Sequence, residues 1–138
     1  QIGSPGAMQA LERALDDEDS DVRISAVRVL GSRGYAAAVP RIESKLRNRE
    51  LREGGLAEKM AFFESYGILT GDAGIDFLDG ILNSRRFLGK REPSEIRACA
   101  AVALGKIGTQ PALKALERSA NDRDVIVRNA VSRAARGD

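Results

Sequence analysis

Apolar residues recur along this chain at the three-and-four spacing of helices that bury one face. The pattern is clearest over Ile96, Cys99, Ala100, Ala103, Leu104 and Ile107, and it resumes over Leu113, Leu116 and Ala120. No stretch alternates with the period of two that a half-buried strand requires. The spacing predicts helices over roughly 6–16, 20–32, 36–47, 55–69, 72–83, 94–106, 110–120 and 125–136, about eight in all. Turn residues agree: Gly105 and Gly108 are placed to end one helix through a left-handed cap, and Pro111 tolerates a missing amide at the start of the next.

These helices are copies of one another. Ile2-Gly3 through Arg23 aligns without a gap on Ile107-Gly108 through Arg128, at a constant offset of 105 residues. Ala10-Leu11-Glu12-Arg13 falls on Ala115-Leu116-Glu117-Arg118, and Val22-Arg23 on Val127-Arg128. Such self-similarity signals units that cannot bury an apolar face alone and must stack on neighbours. A basic residue marks the start of each first helix (Arg23, Lys59, Arg97, Arg128), and an apolar anchor marks each second helix (Leu11, Ile42, Leu78, Leu116). Arg23 to Ile42, Lys59 to Leu78 and Arg97 to Leu116 are each 19 residues, so the hairpin is constant and all length variation lies between hairpins.

The expected fold is all-α: an α-solenoid of stacked antiparallel helix pairs forming one domain over 1–138. Residues 1–18 form a second helix, 19–48, 54–84 and 94–121 are repeats, 85–93 is a basic insertion, and 122–138 is a first helix. Opening on a second helix and closing on a first, the chain reads as a fragment of a longer solenoid with apolar surface expected at both ends.

Several segments resemble HEAT repeats of the short type first associated with phycobilisome lyases. They are Asp19-Ser20-Asp21-Val22-Arg23, Ser94-Glu95-Ile96-Arg97 with Ala100 through Gly108, and Asp122-Arg123-Asp124-Val125-Ile126-Val127-Arg128. The 54–84 repeat departs most, with Glu58-Lys59 in place of an apolar residue and Arg, and with Phe62 and Phe63 where alanines stand in the next repeat. The resemblance implies a right-handed, armadillo-like stack and a protein-binding scaffold. It does not imply an enzyme, since the repeat carries architecture and fold does not transfer chemistry.

Composition narrows the chemistry. Lys and Arg number 22 against 20 Asp and Glu, so no global field recruits nucleic acid or a membrane. The chain has no histidine. Ser-His-Asp and Cys-His nucleophile systems, His-ligated metals and imidazole acid/base catalysis therefore cannot be built from it. The same lack departs from HEAT-like hydroxylases, which bind iron through His-Glu pairs, and the lack of Trp weakens a likeness to HEAT-like DNA glycosylases. Cys99 is the sole cysteine, which excludes an internal disulfide and suits a reducing compartment. With no run of about 18 apolar residues and no signal peptide, a cytoplasmic protein that makes no membrane contact is expected.

Four constellations have a structural reading. The basic series Arg23, Lys59, Arg97, Arg128 reads as inter-repeat bridging and helix-end capping, with Asp21, Glu95 and Asp124 as the interleaved carboxylates. Asp17, Asp19 and Asp21 alternate like the opening of a calcium loop, but Val22 and Arg28 stand where such a loop needs Gly and Glu, so helix capping accounts for them better. Cys99 shares a slot with Ser25, Ala61 and Ala130 and is expected in the core. Phe62 and Phe63 are expected to fill core, with an apolar contact surface of Phe63 and Met60 as the alternative.

Two basic interruptions are the candidates for function. Residues 84–93 hold Arg85, Arg86, Lys90 and Arg91 against Glu92, a net +3, around Phe87 and Leu88. Residues 45–53 hold Lys45, Arg47, Arg49 and Arg52 against Glu50 and Glu53, a net +2. Arg47 to Arg85 and Arg52 to Lys90 are each 38 residues, so the insertions are expected side by side on one edge, where repeat proteins tend to bind. Arg47, Arg49, Arg52, Arg85, Arg86, Phe87, Lys90 and Arg91 are the candidate contacts of a non-catalytic protein-interaction scaffold that needs no cofactor or metal. The alternative is a nucleic acid or other polyanion on the same edge, which mixed charges on the second helices (Arg41, Lys45, Asp76, Asp79, Lys114, Glu117) disfavour. A third reading, a small ligand such as a tetrapyrrole, requires an enclosed pocket between repeats. End-to-end self-association through the terminal helices is a further expectation.

Overall fold

The computed structural model describes residues 4–84 and 91–138, and the regular elements among them are α-helices and short 3-10 turns. The fold is all-α and of the helix-pair repeat type. It divides between Thr70 and Gly71 into two units.

The first unit begins with α1 (Pro5–Arg13), which Ser4 caps by accepting the Ala7 amide at 3.1 Å while Pro5 occupies the first turn. A 3-10 turn, Ala14–Asp16, leads to α2 (Ser20–Ser32), capped by Asp19 through the Asp21 amide at 2.8 Å. Next come α3 (Val39–Arg47), a short α4 (Arg49–Arg52) and α5 (Leu56–Thr70). Helix α2 lies on α5, with α1 and α3 beside them. Leu15, Leu30, Ile42, Leu46, Phe62 and Phe63 are fully buried between these helices, each such side chain contributing roughly 1.5–3 kcal/mol through burial. Both phenylalanines are therefore core, and Phe63 offers no contact surface.

The second unit holds α6 (Ile75–Asn83), α7 (Ser94–Ile107), α8 (Gln110–Glu117) and α9 (Val125–Arg136). Helix α7 is its centre, lying against α6, α8 and α9 with Cys99, Ala100, Ala103 and Leu104 wholly buried. The 105-residue duplication is visible in the caps: Thr109 takes the place of Ser4 and accepts the Ala112 amide, and Asp124 takes the place of Asp19 and accepts the Ile126 amide.

Two details differ from the sequence expectation. Of the two glycines placed to end α7, only Gly108 does so, at φ 69° in the left-handed region. Gly105 lies inside the helix, where a Cβ would come within 2.8 Å of the Ala134 Cβ on α9. Its use is close approach, not termination. The interruption after α3 is not a simple loop: Asn48 caps α4 through the Glu50 amide, and Leu51 is 7% exposed, anchoring the turn in the core. Apolar side chains are exposed at both outer pairs, Val22 on α2 and Val125 and Ile126 on α9. Further along α9 the exposed residues Asn129, Ser132, Arg133 and Arg136 are polar, and Arg136 is bonded to Ser132 and Asp138.

Candidate functional site

Each unit carries a charged, open cleft where second helices end and first helices begin. Their walls follow from one recurring device. The basic residue that opens each first helix reaches back to a carbonyl preceding its own helix: Arg23 Nη1 donates to the Asp17 oxygen at 2.7 Å, Lys59 Nζ to Arg52 at 3.3 Å, Arg97 Nε to Leu82 at 2.9 Å and Arg128 Nη1 to Asp122 at 2.9 Å. Carbonyls left over at helix ends are thereby satisfied, which supports the capping reading of this series.

The carboxylates that complete the device are not the expected ones. In the first unit Glu58 takes Arg23 in a two-point pair, Oε2 to Nε at 2.6 Å and Oε1 to Nη2 at 2.9 Å. Glu58 stands where the other copies have an apolar residue, so that departure from the repeat is the partner Arg23 needs. This fork–fork geometry raises the Arg23 pKa, the hydrogen bonds to Glu58 being its main cause. In the second unit Asp122 takes both terminal nitrogens of the buried Arg97, Nη1 at 3.1 Å. Hydrogen bonding from Arg97, opposed by burial and assisted by the Asp124 amide, holds the Asp122 carboxyl at about 2. Asp21 and Glu95 are exposed, and Asp124 serves as cap and accepts from Ser94.

Beyond this device the clefts diverge. The first is lined by Asp16, Asp17, Glu50 and Glu58 against Arg23 and Lys45, two positive charges to four negative. Lys45 holds Asp16 at 2.5 Å and is the main cause of its lowered pKa. The second is lined by Arg91, Arg97, Arg118 and Arg123 against Glu117, Asp122 and Asp124, four positive to three negative. Arg118 pairs with Asp79 on α6. Beside them Asn83 donates to the Ala115 carbonyl at 2.9 Å and accepts from Ser119.

The expected contact residues separate on this frame. Arg47 pairs with Glu43 at 3.1 Å and Arg49 with Glu53 at 2.7 Å, both one helical turn apart and both exposed. Arg52 turns inward, its Nε donating to the Leu46 carbonyl at 2.8 Å. Arg91 pairs with Asp122 at 3.2 Å. Arg85, Arg86, Phe87 and Lys90 lie outside the described residues. Asn83 was not singled out from the sequence, Asp79 stood there only among the mixed charges of the second helices, and Glu58 only as a departure from the repeat. Glu58 left one signal there, the break in an otherwise apolar position. Among the described residues no group of three or more Cys, Asp or Glu is placed to hold a metal ion, and no helix is long and apolar enough to cross a membrane.

Comparison with known proteins addresses the fold. Residues 1–54 match the family model described as HEAT repeats. Among solved structures, human deoxyhypusine hydroxylase in complex with glycerol is similar at 17% identity and a TM-score of 0.50, over 99% of this chain and 75% of that one. Comparison with curated proteins returns no match. At that identity the likeness is one of fold.

Proposed function

We propose that this chain, which carries HEAT repeats over residues 1–54, is a non-catalytic scaffold that binds another protein, with the exposed arginines of its basic interruptions among the contacts. The carrying observation is the segment that joins α3 to α5. Leu51 pins it to the core, Asn48 caps its helical turn and Arg52 ties it to Leu46, while the Arg47 and Arg49 side chains stand 62% and 87% exposed. A surface ordered before binding loses less entropy when a partner docks, and arginine is enriched at interface hot spots. Arg91, and the stretch with Arg85, Arg86, Phe87 and Lys90, extend the proposal to the second unit.

Charge favours a protein over a nucleic acid. Phosphate tracking calls for unopposed cations, whereas Arg47, Arg49 and Arg91 each sit in an ion pair and the first cleft has an acidic excess. Catalysis by the similar hydroxylase is not carried over, because the likeness is of fold and this chain has no histidine. The test is cross-linking affinity capture with the wild type and with the Arg47→Glu/Arg49→Glu/Arg91→Glu variant. Loss of specific partners from the variant is expected; an unchanged partner set would remove these arginines from the interface. Saturable binding of a labelled oligonucleotide at low salt, lost in the variant, would favour the polyanion reading.

A further inference from the structure

Glu43 on α3 uses both of its carboxylate oxygens. Oε1 accepts the Tyr66 hydroxyl of α5 at 2.7 Å, and Oε2 accepts Arg47 Nη2, one turn further along α3, at 3.1 Å. Tyr66 is 2% exposed and the Glu43 side chain 33%, while the Arg47 side chain at 62% stands in solvent. A chain of hydrogen bonds thus runs from the core of the first unit to one of the exposed arginines of its interruption. Burial, together with the bond to Glu43, raises the Tyr66 pKa, so the hydroxyl stays protonated and remains a donor. That hydroxyl is in turn the main cause of the lowered Glu43 pKa, with burial opposing it and Arg47 adding to it.

The other copies of the repeat do without this arrangement. Seven residues past the basic marker, α2 has Leu30 and α7 has Leu104, both fully buried, where α5 has Tyr66. Leucine fills the slot, so the hydroxyl is not a requirement of the core. The residue after the apolar anchor is acidic in every second helix: Glu12, Glu43, Asp79 and Glu117. Glu12 pairs with Arg41 of α3 at 3.4 Å and Asp79 with Arg118 of α8, each reaching the next second helix. Glu43 takes the tyrosine of α5 and the arginine of its own helix.

Arg49 supplies the contrast. Its partner Glu53 is also one turn away, at 2.7 Å, but the two side chains are 87% and 63% exposed, and among the described residues no core side chain holds Glu53. An exposed pair of this kind loses side-chain entropy in both partners for little gain. Glu43 has already lost its freedom to Tyr66, so only Arg47 is left to order and the pair holds better.

We propose that Tyr66 is a positioning residue for partner binding: through Glu43 it fixes the Arg47 side chain in one orientation before a partner arrives. This deepens the interface reading and rests on it. The first measurement needs no partner: nitrogen-15 relaxation of the arginine side-chain Nε–H groups of the whole chain, at slightly acid pH where their protons exchange slowly. Arg47 is expected to be more ordered than Arg49. Tyr66→Phe, which deletes the hydroxyl and keeps the ring, should bring Arg47 down to the level of Arg49. Arg52, whose Nε is held by the Leu46 carbonyl, should not move, which a general loosening of the fold could not reproduce. In affinity capture at graded concentrations, Tyr66→Phe should weaken binding of the partners that Arg47→Glu loses by about two- to tenfold, the entropy of one immobilised side chain. Equal order at Arg47 and Arg49, an Arg47 indifferent to Tyr66→Phe, or capture that Arg47→Glu reduces and Tyr66→Phe does not, overturns the proposal. If Arg47→Glu leaves capture unchanged, the interface reading itself falls and takes the proposal with it, a failure distinct from any seen in the relaxation.

Discussion

Replacing glycine by alanine inside a helix ordinarily stabilises it, by roughly 0.8–1 kcal/mol, because alanine has less backbone entropy to lose. Two glycines here should respond with opposite signs. Gly80 in α6 is exposed, and a Cβ built on it meets nothing within 4 Å, so Gly80→Ala should stabilise by about that amount. At Gly105 the new methyl would stand 2.8 Å from the Ala134 Cβ, 3.0 Å from its Cα and 3.1 Å from its carbonyl oxygen. Two of those three atoms are backbone, so no rotamer change relieves the contact and α7 and α9 must separate. Overpacking of this kind costs about 1–3 kcal/mol. With the propensity gain subtracted, Gly105→Ala should fail to stabilise and should cost up to about 2 kcal/mol. Urea unfolding followed by circular dichroism at 222 nm measures both variants, and shifts in midpoint at constant slope isolate stability. Gly105→Ala/Ala134→Gly, which removes the nearest atom, should recover part of the loss with a coupling of at least about 0.5 kcal/mol. If Gly105→Ala stabilises as Gly80→Ala does, the close approach of α7 and α9 is wrong.

Two further substitutions test the electrostatics and the caps. Asp122 sits at about 2 in the folded chain against an ordinary 3.8, so its pairing stabilises the fold fully above about pH 4 and is lost as pH falls through 2. The urea midpoint of the wild type should fall across that window, and Asp122→Asn, already weaker at pH 7, should show a flatter profile. Thr109→Ala removes the cap of α8 together with the 2.6 Å hydrogen bond to Asp72, and a loss of about 1 kcal/mol is expected in the same assay, with Thr109→Ser retaining most of it.

The helices and the core were legible because their signals are local. Ile96, Cys99, Ala103 and Leu104 declare one face of α7 by spacing alone, and all four are buried. Asp19, Thr109 and Asp124 are short polar residues one step ahead of an apolar run, and each caps the helix that follows. The candidate site was less legible. Arg47 and Arg49 read as candidate contacts within a stretch of net positive charge, yet Glu43 and Glu53 each lie one helical turn from one of them and pair with it. Leu51 left no signal in the sequence because one apolar residue in a short stretch has no period to detect.

By itself the sequence determined an all-helical repeat protein: a 3.6-residue period, its punctuation and a phrase repeated at 105 residues need no knowledge of distant contacts. Only the tertiary structure decided which carboxylate meets which arginine. Arg23 to Glu58 and Arg97 to Asp122 span 35 and 25 residues, and with 42 charged groups in the chain many pairings share the same composition. The tertiary structure likewise decided the separate uses of two glycines of α7 that the sequence read alike. Gly108 ends α7 in the left-handed region while Gly105 lies where α9 approaches, because the use of a small residue is set by what packs against it and not by its own spacing.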